Sequence, residues 1–337
     1  MNTTSSIAFI LALAALSACT FIAGKDDDAG AQKPALNLRF VESLRNEKSL
    51  RGEGWKESQY GTSSADSLQQ PNSVYADAFR VYVTDTYRST TVVTPRIFVF
   101  DRGNRTAVPL GIPAPPAEGK LLAPAAITVD ATGVIYVADP LQGMVFGYDL
   151  NGKALSVFGR AGEAGKPTAL AADRARGRLY VADAAAHLVK AITVTGTVLV
   201  TVGGTGNASE DFRFPEALAL DKTGNLYVLD GLKGRVHVYD PDGRFIRRFD
   251  LAGDNPGIPL KPRGIAVDSD GHVYVSDVVS NNILIFDHDG VLMQAWGRSG
   301  GLPEDFWSPS GIFIDDRDMI YVADQMNSRI QVFQYSK

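Results

Sequence analysis

One unit, written six times, governs what this chain can become. The signature Tyr-Val-x-Asp falls at Tyr82, Tyr136, Tyr180, Tyr227, Tyr274 and Tyr321, and the last three intervals are each 47 residues. A proline precedes each signature, at Pro71, Pro124, Pro167, Pro215, Pro262 and Pro309. Within the copy from Pro262 to Gly297, four short apolar runs alternate with turn residues: Ile265 to Val267, Val273 to Val275, Ile283 to Phe286 and Val291 to Trp296. Such β-branched and aromatic runs, separated by Asp/Gly clusters such as Asp268-Ser269-Asp270-Gly271, are antiparallel strands joined by tight turns. Their alternate positions are apolar on both faces, which suits a sheet packed between two neighbours. Four strands per unit at this period predict an all-β, six-bladed β-propeller.

The pattern P-x-G-I-A-V-D, then G-x-x-Y-V-x-D, then N-x-R-I-x-V-F closely resembles the NHL repeat. Pro309 to Phe333 carries it almost whole, with Asn327, Arg329, Ile330, Val332 and Phe333 in the third strand. Two blades depart from it, with Met144 and Leu188 where the arginine belongs. Tyr82-Val83-Thr84-Asp85 is close to the YWTD repeat, but the other five copies favour NHL. The resemblance spans roughly nine tenths of the mature chain. It implies a protein or RNA platform, a receptor ectodomain or, in related six-bladed families, a lyase or lactonase. Fold alone does not choose among these.

Charge narrows the choice. The formal net charge is −5 and the pI is near 5.5, whereas nucleic-acid binding calls for a basic face. An RNA partner is therefore not expected.

The N-terminus reads as an export signal. Ile7 to Leu16 is apolar but too short to span a bilayer, and it ends in small residues. Leu16-Ser17-Ala18-Cys19 matches the bacterial lipobox, although no Lys or Arg precedes the apolar stretch. That match implies cleavage of residues 1–18 and lipidation of Cys19, with a diacylglycerol thioether and an N-acyl chain such as palmitate. Thr20 after the cysteine implies export to the outer membrane. Two or three acyl chains, at ~0.8 kcal/mol per buried methylene, make a stable anchor. Cys19 is the sole cysteine, so disulfides and thiol catalysis are not available to the mature domain. Residues 19–35 have no apolar period and read as a flexible tether, leaving 36–337 for the propeller.

The sixth unit lacks a fourth strand, because the chain ends four residues after Phe333. Leu36 to Phe40 alternates strictly and is expected to supply that strand, closing the ring and covering its edge. In such a blade the loops before strand 1 and between strands 2 and 3 share one face. Most length variation falls there, in 45–70, 86–95 and 111–123, all flanking blade 1. Extended loops on a rigid scaffold are where binding residues concentrate. Trp55, Tyr60, Tyr87 and Arg88 are the candidates in these loops, joined by Arg213 and Trp307 before later blades, since aromatic residues and arginine anchor interfaces.

The residues that follow each proline enter the central channel: Asn72, Ala125, Thr168, Glu216, Arg263 and Ser310. Among them Asn72, Glu216 and Arg263 are the candidates at the channel mouth. Glu216 and Arg263 stand on adjacent blades and suit either a salt bridge or the orientation of a ligand. Lactonases of related six-bladed families hold a divalent cation here with Glu, Asn and Asp; Glu216 and Asn72 match two of these, and no third is evident. Amidating lyases of this fold cluster channel histidines on zinc, yet His187, His237, His272 and His288 fall at unlike positions in their blades. The aspartates after strands 1 and 2 recur in every blade and read as turn-formers. No catalytic set, metal or cofactor is assigned. The chain reads as a monomeric, lipid-anchored binding or scaffold protein of the cell envelope, taking a protein or polysaccharide partner. A metal-assisted lactonase or lyase at the channel mouth is the alternative.

Overall fold

The structure is a computed structural model, and it describes residues 36–51, 66–88, 93–110, 121–158, 165–204, 211–252 and 260–337. Six four-stranded antiparallel sheets form the blades. Blade 1 comprises Pro71–Ala76, Arg80–Arg88, Val93–Asp101 and Thr106–Pro109; the strands of blade 2 fall within 126–158, of blade 3 within 167–203, of blade 4 within 215–250, of blade 5 within 262–296, and of blade 6 within 309–336 together with 37–44. The first strands of neighbouring blades touch all the way round, including Pro71–Ala76 against Pro309–Ile314, so the ring is closed.

Alternation explains the packing. Along Arg80–Arg88, Val81 and Val83 face blade 6 while Tyr82 between them faces blade 2. Every seam between adjacent blades holds its own buried apolar cluster, and no single core serves the ring. Phe212 and Phe306, which precede strand 1 in blades 4 and 6, are buried in two of these seams.

The expected closing strand is present and longer than Leu36 to Phe40. Asn37–Leu44 pairs antiparallel with Arg329–Ser336, from Asn37 opposite Ser336 to Leu44 opposite Ile330. A seam contact reinforces it: Arg102 donates to Glu42 Oε1 at 2.8 Å and to Tyr321 Oη at 2.9 Å, linking blade 1 to both ends of the chain.

One boundary differs from expectation. The segment 86–95 of blade 1 is not a loop throughout, because Tyr87 pairs with Thr94 and Arg88 with Val93. β-Branched Thr94 and Val93 extend the hairpin past the other blades. Cys19, Trp55 and Tyr60 lie outside the described residues.

Candidate functional site

The axis of the propeller encloses a cavity of about 950 Å³ lined by the first strand of all six blades. At its mouth on the loop face, pairing slips between Pro71 and Ser73, Pro167 and Ala169, Pro215 and Ala217, and Pro262 and Gly264. Each slip is a bulge, and a bulge re-aims the side chain of the extra residue. The re-aimed residues are Asn72, Thr168, Glu216 and Arg263, all of which line the cavity. Backbone crowding sets the next position. A Cβ on Gly264 would lie 2.6 Å from Ser310 O, and one on Gly311 would lie 2.7 Å from Asn72 O.

The mouth is a ring of contacts between blades. Arg263 Nη1 lies 2.6 Å from Glu216 Oε1, joining blades 4 and 5. Thr168 Oγ1 donates to Pro215 O at 2.6 Å. Asn72 Nδ2 donates to Ala125 O at 2.9 Å, and Asn72 Oδ1 accepts from Ser310 Oγ at 2.9 Å. Both ends of the Asn72 amide are thus engaged by neighbours, and Glu216 is paired with a cation. This donor set does not suit a divalent ion, for which free oxygen ligands must converge. Among the described residues, no group of three His, Cys, Asp or Glu side chains is placed to hold a metal.

The strand-2 aspartates have a defined task. Asp85 accepts from the amides of Gln69 and Gln70, Asp139 from Leu122 and Ala123, Asp230 from Arg213 and Phe214, and Asp324 from Trp307. Each carboxylate pins the loop that leads into its own blade. The same carboxylates cap the turn between strands 2 and 3: Asp139 Oδ1 accepts from Leu141 N, Asp230 Oδ1 from Leu232 N, and Asp277 Oδ1 from Val279 N. These Asx turns fix the backbone two residues on and leave the side chain there pointing at solvent.

Sequence reading missed what this does to the surface. Leu141 is 70% exposed, Leu232 73% and Val279 51%; Met326, also 51%, holds the equivalent position after Asp324, although its N–H donates to Trp307 O and not to the aspartate. Trp307, at 57%, and exposed Leu302 and Leu122 stand on the same face. The sequence signal was the recurrence of Leu, Val or Met two places after Tyr-Val-x-Asp in four of the six units.

The sequence candidates fall unevenly on this face. Trp307 and Arg213 are exposed, and Arg213 O accepts a hydrogen bond from His187 Nδ1 at 2.8 Å. Arg88 is held against the body, its N–H donating to Gln69 Oε1 at 2.7 Å and its Nε to Gln70 Oε1 at 3.0 Å. Tyr87 is half-buried, with the Arg96 guanidinium 5.2 Å from its ring centre. His237 is fully buried in the seam between blades 3 and 4, 5.0 Å from the Phe212 ring, and neither ring nitrogen has a partner. Desolvation lowers its pKa to about 4, so it is a neutral core residue.

Comparison with known proteins agrees on the architecture. A family model described as a 6-bladed beta-propeller matches residues 266–337. No curated protein matches the sequence. Among solved structures, an auxiliary nutrient binding protein from Bacteroides ovatus superposes with a TM-score of 0.62 at 13% identity, over 90% of this chain and 78% of that one. A protein of the same description from Bacteroides thetaiotaomicron gives 0.58 at 13%, over 80% and 70%. Virginiamycin B lyase from Staphylococcus aureus gives 0.55 at 12%, over 89% and 99%. At these identities the likeness is one of fold.

Proposed function

We propose that this chain is an NHL-type binding protein of the bacterial cell envelope, anchored through a lipidated Cys19, which captures a protein partner on its loop face. The observation that carries this reading is the set of exposed Leu141, Leu232, Val279, Met326 and Trp307 on that face. Large apolar side chains displayed by rigid turns favour association, because their burial removes apolar surface from water at little entropic cost. Aliphatic residues predominate among them, which suits a protein surface better than a polysaccharide. The auxiliary nutrient binding proteins of the same fold support a binding role. The chain enters the propeller at Asn37, beside Ser336, on the face opposite these loops. The chain acts as a monomer in this reading.

The test is crosslinking of the full-length protein in native membranes, followed by reciprocal capture from the partner's side. One reproducible protein partner, lost on Leu232→Asp with Trp307→Ala, is the expected result. Retention of a polysaccharide with no protein partner, or capture indifferent to both substitutions, overturns the reading. Intact mass of the purified protein tests the anchor, since an unmodified Cys19 ends that part of it.

A further inference from the structure

The channel has a second mouth, on the face of the turns between strands 1 and 2, and its chemistry differs from the first. The residue after each strand-1 aspartate stands at this opening, and on blades 3 and 4 these residues are Arg174 and Lys222, both exposed and both lining the cavity. The neighbouring cations are neutralised: Arg176 pairs with Asp173 at 3.3 Å and Arg317 with Asp315 at 2.9 Å. Among the described residues, Arg174 and Lys222 form no such ion pair. Arg174 Nη1 reaches past blade 2 and donates to Tyr75 Oη on blade 1, at 3.4 Å.

Tyr75 is itself buried, and its ring lies 4.7 Å from that of Phe313 on blade 6. Burial raises the Tyr75 phenol, with the Arg174 charge acting against the rise, so the hydroxyl keeps its proton at neutral pH. Its oxygen accepts from Arg174, and its own O–H remains as a donor. Above it, Leu170, Ala217, Ile265, Ile312 and Phe313 give the cavity an apolar wall. Phe79, 65% exposed, stands at the rim. A guanidinium and an ammonium that form no ion pair among the described residues, beside a phenol donor at the foot of an apolar cavity, form a complementary set. Charge-assisted bonds fix an anionic head and the wall accepts an apolar body.

We infer that the turn-face mouth binds small anions with an apolar body, carboxylates foremost, with Arg174 as the principal contact, Tyr75 Oη as second donor and Lys222 as supporting charge. Asp77, Asp221 and Asp316 also line this end of the cavity, and their charges disfavour ligands with a second negative charge. The site is separate from the partner face, since the two lie at opposite ends of the channel.

Titration of the full-length protein with 2-naphthoate, and with 2-naphthalenemethanol as its neutral counterpart, tests this by calorimetry. The expected result is one naphthoate per chain, bound at least about tenfold more tightly than the alcohol. Arg174→Gln should bring the two ligands within about twofold, and Lys222→Gln should weaken naphthoate about threefold. Thermal melting confirms that each variant is folded. Equal affinity for acid and alcohol, absence of binding, or an Arg174→Gln protein that keeps its preference for the acid overturns the assignment.

Discussion

Arg329 Nε lies 2.7 Å from Asp324 Oδ2, with both side chains at 5% exposure or less. The pair closes the hairpin between strands 2 and 3 of blade 6. Arg329 also donates to the carbonyls of Gly301, Leu302 and Asp305, which belong to the loop entering that blade. Burial pushes the Asp324 carboxyl up, and the arginine opposes the rise. Blade 2 shows the alternative: with Met144 at the arginine position, Asp139 accepts instead from Gln142 Nε2 at 2.9 Å.

Arg329→Met therefore removes one partner of a buried pair without supplying another. A cost of about 3–5 kcal/mol is expected, because the carboxylate and three carbonyls lose a donor together. Chemical denaturation measures it. A loss below about 1 kcal/mol would show that the entry loop is held by its backbone alone.

The closing strand makes a sharper claim about the whole ring. A variant lacking residues 1–44 exposes the edge of Arg329–Ser336 and uncovers the cluster into which Leu38 and Phe40 pack. Its melting temperature should fall by more than about 10 °C, with aggregation. A variant lacking only 1–33 should match the parent. If the two truncations melt alike, Asn37–Leu44 does not close the ring in solution.

His237 should make stability depend on pH. Its folded pKa of about 4 lies below the ordinary imidazole value of 6.5, so the unfolded chain takes up a proton first as pH falls. The stability it preserves is fully present above pH 6.5 and is lost as pH drops toward 4, at up to ~1.4 kcal/mol per pH unit. His237→Leu removes both unpartnered nitrogens and should flatten this segment of the curve. It should also raise stability at pH 7 by roughly 1 kcal/mol or more. Identical pH slopes for parent and variant between pH 4 and 6.5 would sink the assignment.

Gly311→Ala tests the crowding at the channel mouth. The added methyl meets Asn72 O at 2.7 Å and the Cα of Ser73 at 2.8 Å, both backbone atoms that cannot rotate away. A loss of about 1–3 kcal/mol follows from overpacking. An unchanged melting temperature would mean the first strands of blades 1 and 6 can separate freely.

What the sequence determined by itself was everything that repeats. Period-2 alternation, the prolines at the head of each unit and the Tyr-Val-x-Asp signature specify strands, turns and blade number, because those are local preferences written six times. The closing strand was legible for the same reason: the last unit was visibly one strand short. The channel mouth was readable in outline, since Asn72, Glu216 and Arg263 follow the repeated prolines. What only the tertiary structure decided was which singular residues meet. Arg174 and Tyr75 are 99 positions apart and touch because the ring curves their blades around one axis. Leu141, Leu232 and Val279 read as ordinary apolar residues until their Asx turns showed which way they point. Exposure, convergence and pairing across the channel depend on ring closure, which brings distant copies together without leaving a local mark in any one of them.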